Sequence, residues 1–549
     1  MIRFDKKISE NSLILFIFFL SFIKNKIILN NWFGGWIKQD CNLGKCVNNL
    51  EDLIILFTQP WGLGELSSRF YRPIVSLSYS INFKMTKLSD ALIYHISDLT
   101  FHYLNAYLVY LLIKKFTKNK LVPILGLSIF LFHPSIFEII PTLDRRHEVI
   151  AGLFGLLALY FADRSTQDTN LFYIASLFFY FLGSLSKEII VVFLPSIIFF
   201  YLFKSGEKKF INTINLSTYI KSTGYILITV SIWVFTNFYF SGYRSYNKIF
   251  DHSLIELIER SNVFFSNFLY HTVPNFEELK YFKQFIFIIL GLHILIALKH
   301  SKYQKFLFFS FIIFSQFLFI NRATIMTPLL PNFGFTFSLV LNIYLLFLLF
   351  YFFHKLSKKE SFYILLSFSV SLLSIFLIRL AFGFLGLRGG YISTIFFVFI
   401  ISLILDYLII DKLYKSLQGL LLIFWISFII FSGIISNISV WTEATKFNFY
   451  FYQELTEIIT NNQSLDSIIL ENQPYVGWDY EYGRPNTVVY SVQQFTVDAW
   501  IYHNFPDRKI NVQQKNKYKV NIDEISSQIN FEANCYKKEC VVFLKSNDE

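Results

Sequence analysis

No small-residue cleavage site follows the apolar stretch 11–23, so the amino-terminal run reads as a first helix and not as a removable leader. No separate basic domain or nucleic-acid motif accompanies the net charge of +11, which argues against nucleic acid as a partner. Glycine and proline are scarce, at 22 and 12 of 549 residues, and charged residues make up only 16%. Cysteine is limited to four residues, and no histidine stands at ligand spacing beside them. That favours two local disulfides, Cys41 with Cys46 and Cys535 with Cys540, over a zinc site built from the two pairs.

What remains is apolar. Hydrophobic residues are 54% and aromatic residues 20%, with 68 Phe. Mean hydropathy is +0.47. Runs near the length that crosses a bilayer recur along the chain, and a spanning run must be helical to satisfy its own backbone. About thirteen spans are expected, near 11–29, 91–113, 121–139, 147–163, 170–185, 188–203, 222–240, 284–298, 304–320, 335–354, 361–379, 391–410 and 417–436. The expected fold class is therefore an all-α multi-spanning membrane protein followed by a small α/β domain outside the membrane. Residues 1–436 form the first part, with large outer loops at 30–90 and 241–282, and residues 437–549 form the second. The stretch 254–270 reads as an amphipathic helix. In the tail, DSIILE, NTVVYS and ECVVFLK read as strands and 443–460 as helix.

Charge orients this scheme. Lysines such as Lys114, Lys115, Lys208 and Lys209 fall in the expected inner loops, where they meet anionic lipid. Lys24 and Lys26 interrupt the first span, either snorkelling or facing a polar cavity. Arginines instead gather on the expected outer side, among them Arg72, Arg146 and Arg388. The planar guanidinium fork suits phosphate oxygens. The alternative for each is a headgroup anchor. The expected placement is an integral multi-pass protein of a bacterial inner membrane, with its site and carboxyl end on the periplasmic side.

Candidate chemistry lies in those outer segments. Asp40 stands beside Cys41 and is the first candidate for a general base, with Asp52 as the alternative. Glu51 and Asp52 also suit the amino end of the helix-like run EDLIILF. Arg72 precedes Pro73, which either starts a helix or aims the guanidinium at an anion. The segment FHPSIFEIIPTLDRRHEVIAG carries His133, Glu138, Asp144, Arg146 and Glu148. Arg146 and Glu148 either pair with each other or line a site, and His133 either lines it or ends a helix. Lys187 and Glu188 lie in SLSKEIIVVFLP, as a helix-capping pair or as a phosphate contact with its neighbour. Arg388 in FLGLRGGY sits where glycines allow close backbone approach.

The order of these segments resembles a known family. An acid after the first span, Tyr71–Arg72–Pro73, His133–Pro134 with Glu138, Arg146 with Glu148, Ser186–Lys187–Glu188, and Arg388 with Tyr391 resemble the polytopic glycosyltransferases with the C-type fold. The nearest branch is the transmembrane O-mannosyltransferases that carry tetratricopeptide repeats, with their bacterial relatives. The resemblance covers the first 200 residues well and the rest mainly by topology. It implies inverting transfer of a sugar from a polyprenyl-phosphate donor to a hydroxyl of a protein, lipid or glycan. It implies the first-loop Asp as base, Arg72, Arg146, Lys187 and Arg388 on the donor phosphate, and no required cofactor, although more distant branches use a divalent metal. Expected partners are the lipid-linked donor, membrane lipids and an acceptor of unknown class. The chain departs from the pattern in two ways. The first loop lacks adjacent acids at Asp40, and no 34-residue repeats follow. Two other functions compete. One is a polysaccharide polymerase or ligase that uses lipid-diphosphate donors. The other is a transporter of lipid-linked sugar.

Overall fold

The computed structural model of the protein describes, with short breaks, residues 10–26, 49–58, 71–133, 145–239, 360–410 and 448–545. Within them the chain is mostly helical. Helices α1 (Glu10–Asn25), α2 (Leu50–Thr58), α3 (Pro73–Thr86), α4 (Ala91–Phe116), α5 (Leu121–Phe132), α6 (Arg146–Ser165) and α7 (Asn170–Ser184) come first. A 3-10 turn over Glu188–Phe193 leads directly into α8 (Leu194–Lys204). Then follow α9 (Leu216–Tyr239), α10 (Glu360–Phe382) and α11 (Gly390–Ile410).

Among the described residues no helix is long and apolar enough to cross a membrane. This finding overturns the expected multi-spanning class and the expected integral placement. The physical reasons are local. Helices α1, α5, α7 and α8 have 16, 12, 15 and 11 residues, short of the roughly 20 that a bilayer requires. Helices α4 and α6 have 26 and 20 residues. However, α4 carries His95, Asp98, His102 and Asn105, and α6 carries Arg146, Glu148, Asp163 and Arg164. The apolar helix α11 is enclosed by protein: Gly390 to Asp406 are buried apart from half-buried Ile401 and Ile404. A helix that is apolar all round is also what a central core helix looks like. The expected spans at 284–298, 304–320, 335–354 and 417–436, and the expected helix at 254–270, lie outside the described residues.

The helices share one core, in which α4 packs on α5 and α6, and α6 packs on α7, α8 and α11. Two glycines of α6 set the distances. A Cβ on Gly155 would lie 2.4 Å from the Phe193 ring, and one on Gly152 would lie 3.1 Å from the Tyr391 ring. These close approaches bring the 3-10 turn and the start of α11 against α6. At the other end of α11, the buried Asp406 carboxylate accepts the backbone N–H groups of Lys118 and Asn119 at 3.0 and 2.8 Å. Those donors open the turn before α5, and their satisfaction pins that turn to α11.

The carboxyl-terminal part contains a small mixed sheet after a helix over 448–461. Its strands are β1 (Ser467–Gly477), β2 (Val488–Val489), β3 (Asn511–Val520), β4 (Asn530–Tyr536) and β5 (Glu539–Lys545). Central β1 pairs in parallel with β3, Ile468 opposite Val512, and with β5, Ile468 opposite Cys540. Strand β4 closes antiparallel on β5, and the Cys535–Cys540 disulfide joins the directly opposed residues. This unit does not stand apart. Its core residues Phe451, Leu455, Ile468 and Val542 form one cluster with Val75 and Tyr79 of α3 and Tyr94 of α4.

Candidate functional site

Helix α4 places a polar stripe inside the bundle. His95, Asp98, His102 and Asn105 follow at intervals of three, four and three residues, so they share one helical face, and all four are buried. An ionised group so enclosed is costly unless paired and hydrogen-bonded. Asp98 takes the Nε of Arg146 at 2.5 Å. The remaining Arg146 donors go to Asn82 Oδ1, to the Tyr94 carbonyl at 3.0 Å and to Ser78 Oγ at 3.4 Å. The guanidinium carbon stacks 4.3 Å from the Tyr79 ring centroid. Arg146 is thus fully enclosed, its fork divided among α3 and α4, and it joins those helices to α6.

One helical step away, Glu148 faces elsewhere, because residues two apart do not share a helix face. Its Oε1 accepts from Lys187 Nζ, another buried ion pair. Neighbouring Glu188, the first residue of the 3-10 turn, accepts from Arg72 Nη2 at 3.3 Å. The two segments are also tied through the backbone, Ile74 N–H to the Leu185 carbonyl at 3.5 Å. Arg72, Glu188, Lys187 and Glu148 therefore form one cluster of two cations and two carboxylates. Desolvation pushes the Glu188 carboxyl up, but the Arg72 guanidinium and the Lys187 ammonium outweigh it and hold its pKa below the usual range. The cluster has a closed side and an open side. Glu148 and Lys187 are buried, whereas the Glu188 side chain is 37% exposed.

A second polar centre lies deeper. The Tyr391 hydroxyl accepts from Asn105 Nδ2 at 3.0 Å and lies 2.9 Å from His102 Nδ1. Asn105 also donates to the Val149 carbonyl at 2.8 Å. The hydroxyl and His102 Nδ1 share one hydrogen bond, whose donor is set by the imidazole tautomer. Burial first, and the nearby Lys24 second, push the His102 pKa down to about 3. Lys24 itself is buried, 5.3 Å from the Phe132 ring centroid, and burial holds its pKa well below the usual value.

His102 carries a pH prediction. Unfolded, it binds its proton near pH 6.5; folded, it stays neutral to about 3. Between those values the unfolded chain holds the extra proton, so this group lowers stability as pH falls below 6.5. The contribution is about 1.4 kcal/mol per pH unit. Denaturant unfolding at pH 7 and pH 5 should show the difference shrinking in His102→Gln, which cannot titrate. An equal acid loss in both proteins would refute the assignment.

The remaining expected site residues are placed as follows. Asp40, Cys41, Cys46, Glu138, Asp144 and Arg388 lie outside the described residues. Asp52 sits in the first turn of α2, its N–H accepted by the Asn49 side chain at 2.8 Å, as acids at a helix amino end do. The far end of α2 is tied to the residue before Arg72, since Tyr71 Oη donates to the Phe57 carbonyl at 2.7 Å. His133 ends α5 and packs edge-on against Phe397 at 5.6 Å. Among the described residues, no group of three or more His, Cys, Asp or Glu side chains could hold a metal ion.

Sequence reasoning passed over Asp98, Asn82, His102 and Asn105. The signal was present in YHISDLTFHYLN, as polar residues at helical spacing in an otherwise apolar segment. The arrangement as a whole is an ion-paired cluster, in which Arg72 faces the Glu188 carboxylate and Lys187 that of Glu148. Compared with known proteins, the chain matches no protein-family model and no curated protein.

Proposed function

We propose that the protein is a glycosyltransferase that moves a sugar from a polyprenyl-phosphate donor to a hydroxyl acceptor with inversion. The observation that carries this reading is the convergence of Arg72 and Lys187, 115 positions apart, on one cluster with Glu148 and Glu188. Transfer of this type asks two things of a protein. Cations must hold the phosphate as negative charge develops on the departing ester oxygen. A carboxylate must take the proton of the attacking hydroxyl. Arg72 and Lys187 are assigned the first task. Asp40 is assigned the second, with Asp52 as the alternative. Arg146 has the chemistry for phosphate, but its donors are spent on Asp98, Asn82 and Tyr94. In this reading it builds the wall of the site. The resemblance of the motif order to the O-mannosyltransferase family supports the reaction class, and no cofactor is assigned.

The test is a transfer assay on the full chain in detergent. It offers radiolabelled polyprenyl-monophosphate hexose and polyprenyl-diphosphate oligosaccharide separately. Turnover of the monophosphate donor with release of polyprenyl phosphate is expected. Consumption of the diphosphate donor alone would replace this reading with a polymerase, and use of neither would end the enzyme assignment.

A further inference from the structure

We propose that the outer faces of α1, α7 and α9 rest among the acyl chains of one leaflet of an anionic membrane. The basic end of the bundle then lies at the lipid headgroups, and no helix crosses to the other side. This seating does not depend on the sugar-transfer reading.

The three helices are inverted relative to those of a bundle in water, which turn apolar residues inward and polar ones outward. In α1, Ser21, Lys24 and Asn25 are buried, whereas Leu15, Phe16, Phe19 and Ile23 are exposed. In α7, Ser176, Tyr180 and Ser184 are buried, whereas Leu171, Ile174, Phe178 and Phe181 are exposed. In α9, Tyr225 is buried, and Ile226, Leu227 and Val230 are exposed. Hydrogen bonds fix these orientations: Tyr225 Oη donates to Ser176 Oγ at 2.7 Å, and the Tyr180 and Thr229 hydroxyls are 2.8 Å apart. From Leu15 to Ile23, Leu171 to Phe181 and Ile226 to Val234 no charged residue occurs. Single exposed apolar residues are ordinary, but continuous apolar faces mark contact with another apolar phase.

Charge and length identify that phase. All three helices begin at the same end of the molecule. Glu10, at the start of α1, accepts from Lys114 at 2.9 Å. Asn170 opens α7 soon after Ser165 ends α6, and Lys221 near the start of α9 donates to the Ser165 carbonyl at 3.5 Å. That end is basic. Lys118, Lys120 and Arg164 are exposed there. The acids beside them are engaged, Glu10 with Lys114, Asp163 with Lys115, and Asp406 with the backbone of Lys118 and Asn119. A cationic rim above apolar walls matches anionic headgroups above acyl chains. One protein partner would have to cover both α1, which packs on α5, and α7, which packs on α6 and α9. A fluid lipid phase covers these faces together. A helix rises 1.5 Å per residue, so the uncharged faces extend about 12–15 Å. That is one leaflet, half of a hydrocarbon core about 30 Å thick.

The test adds the full chain, diluted from detergent, to the outside of sealed phosphatidylcholine vesicles with or without phosphatidylglycerol. Flotation reads binding, and a lipid-borne carbene photoprobe with peptide mass mapping reads which residues meet acyl chains. Flotation that favours the anionic vesicles, with label on α1 and α7, is expected. Lys118→Gln with Lys120→Gln should weaken binding to the anionic vesicles by about fivefold per lysine. Phe19→Glu with Phe178→Glu should weaken binding to both vesicles by about tenfold or more. Circular dichroism of that variant should match the parent, because both side chains are exposed. Unchanged binding in the Glu variant, or no binding by the parent protein, would overturn the proposal. So would binding that leaves α1 and α7 unlabelled, which would assign their faces to another segment of the chain or to a second copy. Modification by a lysine reagent trapped inside the vesicles would overturn the single-leaflet seating.

Discussion

Replacement of Arg146 by Met is expected to lower the unfolding free energy by about 3–5 kcal/mol. That is a large share of the total of about 5–15 kcal/mol typical of a folded chain. Arg146 is fully buried, and its removal leaves the Asp98 carboxylate enclosed without its cation. It also leaves Asn82 Oδ1 and the Tyr94 carbonyl without a shared donor. Denaturant unfolding followed by circular dichroism measures the loss. The double variant Arg146→Met with Asp98→Leu removes both charges and should regain much of it, since a buried ion pair replaced by apolar side chains is often neutral. Normal stability of the single variant, with donor binding lost, would instead make Arg146 a phosphate ligand.

Replacement of Arg72 by Met should do the opposite, sparing the fold and disabling transfer. Its ion partner Glu188 is 37% exposed and can be solvated once the cation is gone, so the loss of stability should be smaller than for the enclosed Arg146–Asp98 pair. Loss of a cation aimed at developing charge costs about 100-fold or more in kcat. The expected result is a folded protein whose turnover of the monophosphate donor falls by about two orders of magnitude. Lys204→Ala, at the end of α8, should leave turnover unchanged. Equal losses in the two variants would remove the argument that arginine is specially placed for phosphate.

The contrast between these two arginines shows how far the sequence could be read. Both were legible as candidates for phosphate, because residue type and motif order are local facts. Their separation was not legible. Arg146 and Glu148, two apart, looked like a pair, as did Lys187 and Glu188. In the folded chain every one of these partners is exchanged: Arg146 with Asp98, Glu148 with Lys187, and Glu188 with Arg72. Adjacent residues on a helix point apart, and only packing decides which side chain from another segment faces each. The sheet shows the same division. Apolar runs marked β1 and β5, whereas polar β3, NVQQKNKYKV, carries no such signal and is recruited by β1.

Hydropathy misled in a related way. A run of apolar residues reports that a segment leaves water, not what it enters. In α11 the run enters a protein core, in α4 a buried polar stripe lies within the apolar run, and in α6 buried charged residues stand at both ends of it. The sequence by itself determined the helical character, the strand-forming tail, the local Cys535–Cys540 link and the positions of the cationic candidates, all set by residue type over short spans. Only the tertiary structure decided the lengths of the helices, the enclosure of α11 and the pairing of each charge. Those depend on the cost of burying a charge, which is met by whichever opposite group the packing brings within reach.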